Sequence, residues 1–307
     1  LITGMLWREA QVTGTVGLRG FYGARARRLL PASAFVGVVI LFVSAAMLPR
    51  LQARSAIWDG ITSALYVSNY RFILQDVDYM HASAMPSPFQ HYWSLGVEEQ
   101  FYLVWPALIM GTAWFVRRFR RRTRTEATAS LRPFLVVLAS VAIVSFALSL
   151  VLTYWMAPVA FFSLPTRAWQ LAVGGLIALT ATRWHRLSAR AAALIGWIGL
   201  AVVMATCTLF GEATPYPGAA ALAPTLGTAM VIAAGCAAPP QGVGRLLGVS
   251  PLRYIGRISY SWYLWHWPVL LMIFWSYVPA LGHPVEFGLA GVLISAGLAM
   301  VTLRFVE

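Results

Sequence analysis

Long apolar runs alternate with short polar segments along most of this chain. Several runs approach the roughly 20 residues that a helix needs to cross a bilayer core. They are continuous rather than alternating, which favours helices over a membrane barrel. The pattern therefore predicts an all-α, polytopic bundle of transmembrane helices with about eight full spans. These cover residues 32–49, 93–116, 134–156, 168–182, 191–210, 219–237, 258–277 and 285–303.

One long polar segment, residues 51–92, separates the first two predicted spans. It contains a short semi-apolar stretch, DGITSALYVSNYRFIL (59–74), which we expect to form an interfacial or re-entrant helix. The following QDVDYMH (75–81) carries Asp76, Asp78 and His81. No second cluster of ligands accompanies them, so a solvated loop is favoured over a metal site and no metal is expected.

The charge balance of the chain describes its topology. The net charge is +13, and all 23 basic residues are arginine. When FYGARARR (21–28) is placed in the cytoplasm, 19 of the 23 arginines fall on that side, and only Arg50, Arg54, Arg71 and Arg167 fall opposite. The positive-inside rule produces this asymmetry, so a nucleic-acid partner is not implied and the lipid bilayer is.

Two adjacent acids stand near the start of the second predicted span, in HYWSLGVEEQFYLVWP (91–106). To span the membrane this helix must reach back to about Val97, which places Glu98 and Glu99 at the edge of the hydrocarbon or just inside it. Favourable interaction with the helix dipole is worth only about 0.3–1 kcal/mol per acid, whereas a charge at mid-membrane costs roughly 2.5–3.5 kcal/mol. A polar cavity facing the bundle interior therefore explains the acids better than an N-cap at Ser94 does.

Helical spacing aligns Ser94, Glu98 and Tyr102 on one face, and His91 lies just outside the helix start. An interfacial histidine is commonly a wet surface residue, so spacing leaves open whether His91 shares the cavity with Glu98.

Four further basic residues, at three places in the chain, have two interpretations at each place. Arg25 and Arg28 are three residues apart, which suits either a phosphate clamp or plain topogenic charge. Arg167 lies outside just before a span, where it could snorkel or pair with Glu98 or Glu99. His266 lies about ten residues into a span, and a hydrogen-bonded structural role competes with a catalytic one.

Four stretches of the chain form a recognisable set of motifs: FYGARARRLLP (21–31), HYWSLGVEEQFYLVWP (91–106), TRAWQLAVGG (166–175) and RISYSWYLWHWPV (257–269). Together they resemble the acyltransferase 3 family, the membrane acyltransferases that O-acetylate cell-wall and surface glycans and some macrolides. The resemblance implies about ten spans in the bacterial cytoplasmic membrane, no bound cofactor, and acyl-CoA, with acetyl-CoA expected, as a donor taken from the cytoplasm. It also implies a glycan or glycolipid hydroxyl as acceptor.

The resemblance also implies roles for individual residues. His91, Glu98 and Glu99 are expected to be catalytic, within the family's core motif. The expected substrate-binding residues are Arg25, Arg28, Ser94, Tyr102, Arg167 and His266.

Three departures from the family pattern accompany the resemblance. Ala24 stands where another arginine is frequent, and Gln170 replaces a frequent glutamate. The family's first span, with its essential histidine, is missing, so residues 1–307 are expected to be a single domain cut at both ends. Many relatives continue into an extracytoplasmic SGNH hydrolase-like domain. The competing hypothesis is a transporter or flippase with a relay through Glu98, Arg167 and His266.

Overall fold

The computed structural model describes residues 2–12, 16–77, 85–123, 131–211, 213–238, 241–281 and 284–307, without the side chains of residues 11, 119–123 and 274–284. These residues form helices and, within those ranges, no strand, so the predicted all-α class is confirmed. The helices are α1 (Ile2–Val12), α2 (Leu18–Met47), α3 (Arg50–Ala64), α4 (Ser68–Leu74), α5 (Tyr92–Thr123), α6 (Arg132–Trp155), α7 (Ala157–Phe162), α8 (Leu164–Leu179), α9 (Ala181–Trp184), α10 (Ala189–Leu209), α11 (Leu222–Ala237), α12 (Gly242–Leu247), α13 (Ser250–Leu281) and α14 (Pro284–Phe305).

Four of these helices are long and apolar enough to cross a membrane: α2, α6, α10 and α14. Only 17–28% of each apolar window is buried, so most of its apolar side chains face outward, as lipid contact requires. Helices α8 and α11 have 16 residues each, about 24 Å of length against a core of about 30 Å. The chain therefore has the character of a multi-pass membrane protein, while the count of eight spans is not confirmed.

Residues 1–17 and 100–249 form one compact unit, called here the first unit. Its main packing pairs are α6 with α8 and α10 with α11. Helices α10 and α11 approach closely where two glycines face each other: a Cβ on Gly199 would lie 2.6 Å from the carbonyl oxygen of Gly227. Between α6 and α8, the hydroxyl of Ser145 accepts a hydrogen bond from the backbone N–H of Trp169 at 2.9 Å.

Residues 18–99 and 250–307 form the second unit, which contains α2, α3, α4, the start of α5, α13 and α14. One buried cluster joins α2, the start of α5, α13 and α14. Because apolar and aromatic side chains dominate this cluster, polar groups in or beside it must find partners within the protein. Its members are Ala32, Val36, Ile40, Phe89, Tyr92, Leu95, Leu264, Trp265 and Ala299.

Helices α3 and α4 form a hairpin beside the outer half of α2, called here the α3–α4 hairpin. Gly60 in α3 packs close to the Leu41 side chain of α2. At the tip between the two helices, Tyr66 adopts a positive φ of 56° and its side chain hydrogen-bonds that of Ser33. Ser33 is the sixteenth of the 30 residues of α2, so the tip reaches halfway along that helix. Whether residues 59–74 are interfacial or re-entrant stays a prediction.

Helix α5 begins at Tyr92 beside the middle of α2. The Tyr92 hydroxyl donates to the carbonyl oxygen of Ser33 at 3.2 Å. Ser94 therefore lies inside the first turn and is not the N-cap. The depth of the two glutamates, at the edge of the hydrocarbon or just inside it, stays a prediction. In the structure α5 starts beside the middle of α2, and α3 packs beside the outer half of α2.

Candidate functional site

The two glutamates of α5 meet an arginine of α2. Arg25 Nη2 donates to Glu99 Oε1 at 2.7 Å and lies 3.9 Å from Glu98 Oε1. The side chains of Arg25 and Glu99 are 18% and 22% exposed, whereas that of Glu98 is 45% exposed. This pair is therefore a partly buried, charge-assisted hydrogen bond, with Glu98 as the more accessible carboxylate.

The sequence did not predict this contact, because it treated Arg25 as half of a phosphate clamp and the glutamates as the lining of a polar cavity. Tyr92 lies beside Ser33, and α5 runs antiparallel to α2 from there. Seven residues further along α5, about 10 Å, Glu99 arrives at the level of Arg25, eight residues back along α2. The expected donor clamp and the expected acids are therefore one ionic group. Arg28, the other half of the predicted clamp, is exposed.

The His91 imidazole is buried at the foot of α5, with 2% of the residue exposed. Its Nε2 lies 3.1 Å from the carbonyl oxygen of Leu264, which only accepts hydrogen bonds. Nε2 therefore carries the proton and Nδ1 carries the lone pair. Among the residues that the structure describes, Nδ1 has no hydrogen-bond partner.

The His266 imidazole lies next to that of His91, with ring centroids 5.6 Å apart, and is half-buried. Its Nδ1 lies 2.6 Å from the carbonyl oxygen of Tyr263, so Nδ1 carries the proton. The lone pair of His266 is consequently on Nε2, away from its own helix backbone. A neutral imidazole with a fixed tautomer and an available lone pair is suited to accept a proton.

Tyr263 connects the two histidines to the core motif. Its hydroxyl donates to the His91 carbonyl oxygen at 2.6 Å and lies 2.5 Å from Ser94 Oγ. Ser94, predicted to bind substrate, is thus hydrogen-bonded within the protein. We name His91, Ser94, Tyr263 and His266 the imidazole cluster.

A second ionic network holds the segment that precedes His91. Asp59 of the α3–α4 hairpin is 2% exposed. Its two carboxylate oxygens accept hydrogen bonds from Arg71 Nε at 2.5 Å and from Ser87 Oγ at 2.6 Å. The Ser87 carbonyl oxygen accepts from Trp267 Nε1 at 2.9 Å. Trp267 directly follows His266, so this network ties the hairpin to both histidine-bearing segments.

The sequence reasoning missed this network and the role of Tyr263. A signal existed for the network, because Arg71 is one of only four arginines on the arginine-poor side and Asp59 lies twelve residues before it in a semi-apolar stretch. For Tyr263 no signal was available, because an interfacial tyrosine needs no special explanation.

Arg167 and Tyr102 belong to the first unit. Arg167 is 6% exposed; its Nε donates to the Phe161 carbonyl oxygen at 3.0 Å, and its guanidinium lies 4.8 Å from the Phe161 ring centroid and 5.0 Å from that of Tyr216. The predicted pairing of Arg167 with Glu98 or Glu99 stays a prediction. Tyr102 is half-buried.

No group of three or more metal-ligating side chains occurs among the residues that the structure describes. Asp78 and His81 lie outside those residues, and the described Asp76 adopts a positive φ of 50° in a turn.

Comparison with known proteins gives consistent matches. The chain is 29% identical over 320 residues to the O-acetyltransferase OatA of Staphylococcus aureus (strain NCTC 8325 / PS 47), which covers all of this chain and 50% of the relative. It is 28% identical over 315 residues to the putative peptidoglycan O-acetyltransferase YrhL of Bacillus subtilis (strain 168), covering all of this chain and 48% of the relative. The chain thus spans about half the length of these relatives.

A third relative, the peptidoglycan O-acetyltransferase OatA of Listeria monocytogenes, is 28% identical over 290 residues, covering 89% of this chain and 43% of the relative. No solved structure matches the chain. The acyltransferase 3 family, described as an acyltransferase domain, matches residues 2–304. Because this match covers nearly the whole sequence, the resemblance drawn from the four stretches is confirmed, and the chain belongs to the acyltransferase 3 family.

Proposed function

We propose that this chain transfers an acyl group, acetyl in the simplest case, from acyl-CoA to a hydroxyl of a cell-wall glycan. The family supports acyl transfer, and relatives named peptidoglycan O-acetyltransferases support a glycan acceptor. The observation that carries the chemistry is the tautomer of His266: its Nδ1–H is held by the Tyr263 carbonyl oxygen, which leaves Nε2 as a base.

The reaction needs a base because an alcohol is a weak nucleophile. In the proposed step, His266 Nε2 accepts the proton of the glycan hydroxyl while its oxygen attacks the thioester carbonyl carbon. The tetrahedral intermediate collapses, the C–S bond breaks, and the CoA thiolate leaves with the proton from the imidazolium. The products are a glycan ester and free CoA, and the imidazole returns to its neutral form.

In this proposal His91 positions His266 instead of contacting substrate. Its 2% exposure leaves no room for a reacting hydroxyl, whereas its ring packs against His266 and its carbonyl oxygen holds Tyr263. In this proposal the catalytic base is therefore His266 and not His91, the residue expected from the family resemblance. His266 follows by one helical turn Tyr263, whose carbonyl oxygen orients the His266 ring.

The ionic group of Arg25, Glu98 and Glu99 serves the donor. Arginine binds phosphate bidentately, and Arg25 lies on the cytoplasmic side of α2 by the arginine distribution. A phosphate would compete with Glu99 for the guanidinium, and Glu98 is accessible enough to receive substrate hydrogen bonds. Donor binding would therefore exchange one anionic partner of Arg25 for another.

The test is transfer of label from radiolabelled acetyl-CoA into glycan, in membranes that contain the full-length protein. Label that depends on His266 supports the proposal. If the folded protein transfers no label from any acyl-CoA, the transporter hypothesis becomes the better one.

A further inference from the structure

An open pocket lies between α8 and α11 in the first unit, remote in sequence from the imidazole cluster. Its volume is about 320 Å³, at the lower end of the range of small-ligand sites. Side chains of both helices and Tyr216 of the preceding loop line it. None of the lining residues is charged, so the phosphates of CoA find no cation there.

The lining changes in polarity along the helices. Gln170, Thr225 and Thr228 lie within the first seven residues of α8 or α11, close to Tyr216 at the outer end given by the arginine distribution. Deeper along the same helices the lining is Ile177 and Ile232. One end therefore offers an amide, hydroxyls and an aromatic ring, and the other offers only hydrocarbon.

Arg167 packs against the ring of Tyr216 and does not itself line the pocket. The guanidinium of this buried arginine lies over the Tyr216 ring and is anchored by the carbonyl oxygen of Phe161. The positive charge is thereby kept out of the lining, and the pocket wall is fixed by a residue that does not reach its interior.

We propose that this pocket binds a glycolipid, with an uncharged sugar at the outer end and the start of its hydrocarbon chain at the inner end. Neutral amide and hydroxyl groups beside an aromatic ring are suited to sugar hydroxyls and C–H faces, and the isoleucines are suited to an alkyl chain. That the glycolipid is the acyl acceptor rests on the proposed function; its binding does not.

Gly174 provides a clean way to fill the pocket. A Cβ added at this lining residue meets nothing within 4 Å, so Gly174→Leu adds a side chain at the pocket wall from a position with open space around its Cβ. Gly235 of α11 is a matched control, because it also meets nothing within 4 Å and does not line the pocket.

The experiment uses the full-length protein in nanodiscs and a photoreactive alkyl maltoside, with labelled peptides mapped by mass spectrometry. We expect labelling of α8 and α11 that dodecyl maltoside competes at least about tenfold better than a sugar-free dodecyl polyoxyethylene ether or free maltose, a difference of about 1.4 kcal/mol. Gly174→Leu should reduce this labelling about tenfold and Gly235→Leu should leave it unchanged.

Equal competition by the sugar-free ether would overturn the proposal and make the pocket a groove for hydrocarbon alone. Labelling confined to other helices, or insensitive to Gly174→Leu, would also overturn it. Because the readout is binding, it is independent of acyl transfer. A protein that binds the maltoside but transfers no label would keep the site and lose the proposed function.

Discussion

The two compact units handle a buried arginine in opposite ways. In the second unit, Arg25 faces two carboxylates and keeps 18% of its side chain exposed. In the first unit, Arg167 is 6% exposed and lies between two aromatic rings, anchored by a backbone carbonyl oxygen. An incoming phosphate can replace a carboxylate as the partner of Arg25. The aromatic rings and the backbone carbonyl oxygen that hold Arg167 carry no negative charge that an anion could replace. The difference separates an arginine suited to bind an anionic substrate from one that shapes a neutral wall.

The same contrast holds for the surroundings of each arginine. The second unit gathers two imidazoles and a short tyrosine–serine contact next to the start of α5. The first unit offers a pocket whose lining is uncharged. Proton transfer needs imidazoles, whereas recognition of an uncharged ligand needs an uncharged lining. Variants in the second unit should therefore change acyl transfer, and variants in the first unit should change ligand binding.

The largest effect is expected from His266→Ala. Loss of a general base lowers turnover about 10²–10⁴-fold, so label transfer from acetyl-CoA should fall by that factor while the KM for acetyl-CoA changes little. His185→Ala is the matched control, since His185 is exposed and remote in sequence. Unchanged turnover in a folded His266→Ala protein would remove this residue from the chemistry.

A smaller effect is expected from Arg25→Gln. A hydrogen bond to a charged group is worth about 1.5–3 kcal/mol, so the KM for acetyl-CoA should rise about 10- to 100-fold. Arg28→Gln, which changes an exposed arginine one turn away, should raise it less.

The double variant Arg25→Gln, Glu99→Gln distinguishes donor binding from charge balance. If Arg25 only neutralises Glu99, removing both charges should restore the KM of the wild type. If Arg25 binds the donor, the double variant should remain as impaired as Arg25→Gln.

Asp59→Asn tests the network that holds the hairpin, with an effect mainly on stability. Breaking a buried ion pair on one side costs about 3–5 kcal/mol, and the partial exposure of Arg71, at 26%, places the expected loss at the lower end. A lower midpoint of thermal unfolding would show it. Asp76→Asn is the control, and equal midpoints for the two variants would contradict the role of the network.

The smallest effect is expected from Arg167→Gln. Loss of its contact with Tyr216 should weaken labelling by the photoreactive maltoside about two- to thirtyfold, since a cation–π contact contributes about 0.5–2 kcal/mol. The KM for acetyl-CoA should not change. A raised KM for the donor would instead make Arg167 a donor-binding residue and erase the contrast between the units.

The sequence was sufficient for the helical class and for the residues of the four motifs, because apolar periodicity and motif spacing are local properties. It did not predict that Glu99 hydrogen-bonds Arg25 of α2. That contact depends on where α5 begins beside α2, which only the tertiary packing of α2, α3 and α5 determines. The tautomers of His91 and His266 depend on carbonyl oxygens of α13. For His91 that carbonyl oxygen is 173 residues away in sequence, so no local pattern predicts its tautomer.

The contacts of the α3–α4 hairpin and of the start of α5 also have a consequence for the order in which the protein folds during synthesis. Ser87 and His91 emerge from the ribosome long before their partners, since Trp267 is 180 residues from Ser87 and Leu264 is 173 residues from His91. Until α13 has been inserted, the newly made hairpin and the foot of α5 must hold these polar groups against lipid without their final partners. The imidazole cluster is therefore a late product of biogenesis, completed only when α13 has been translated and inserted.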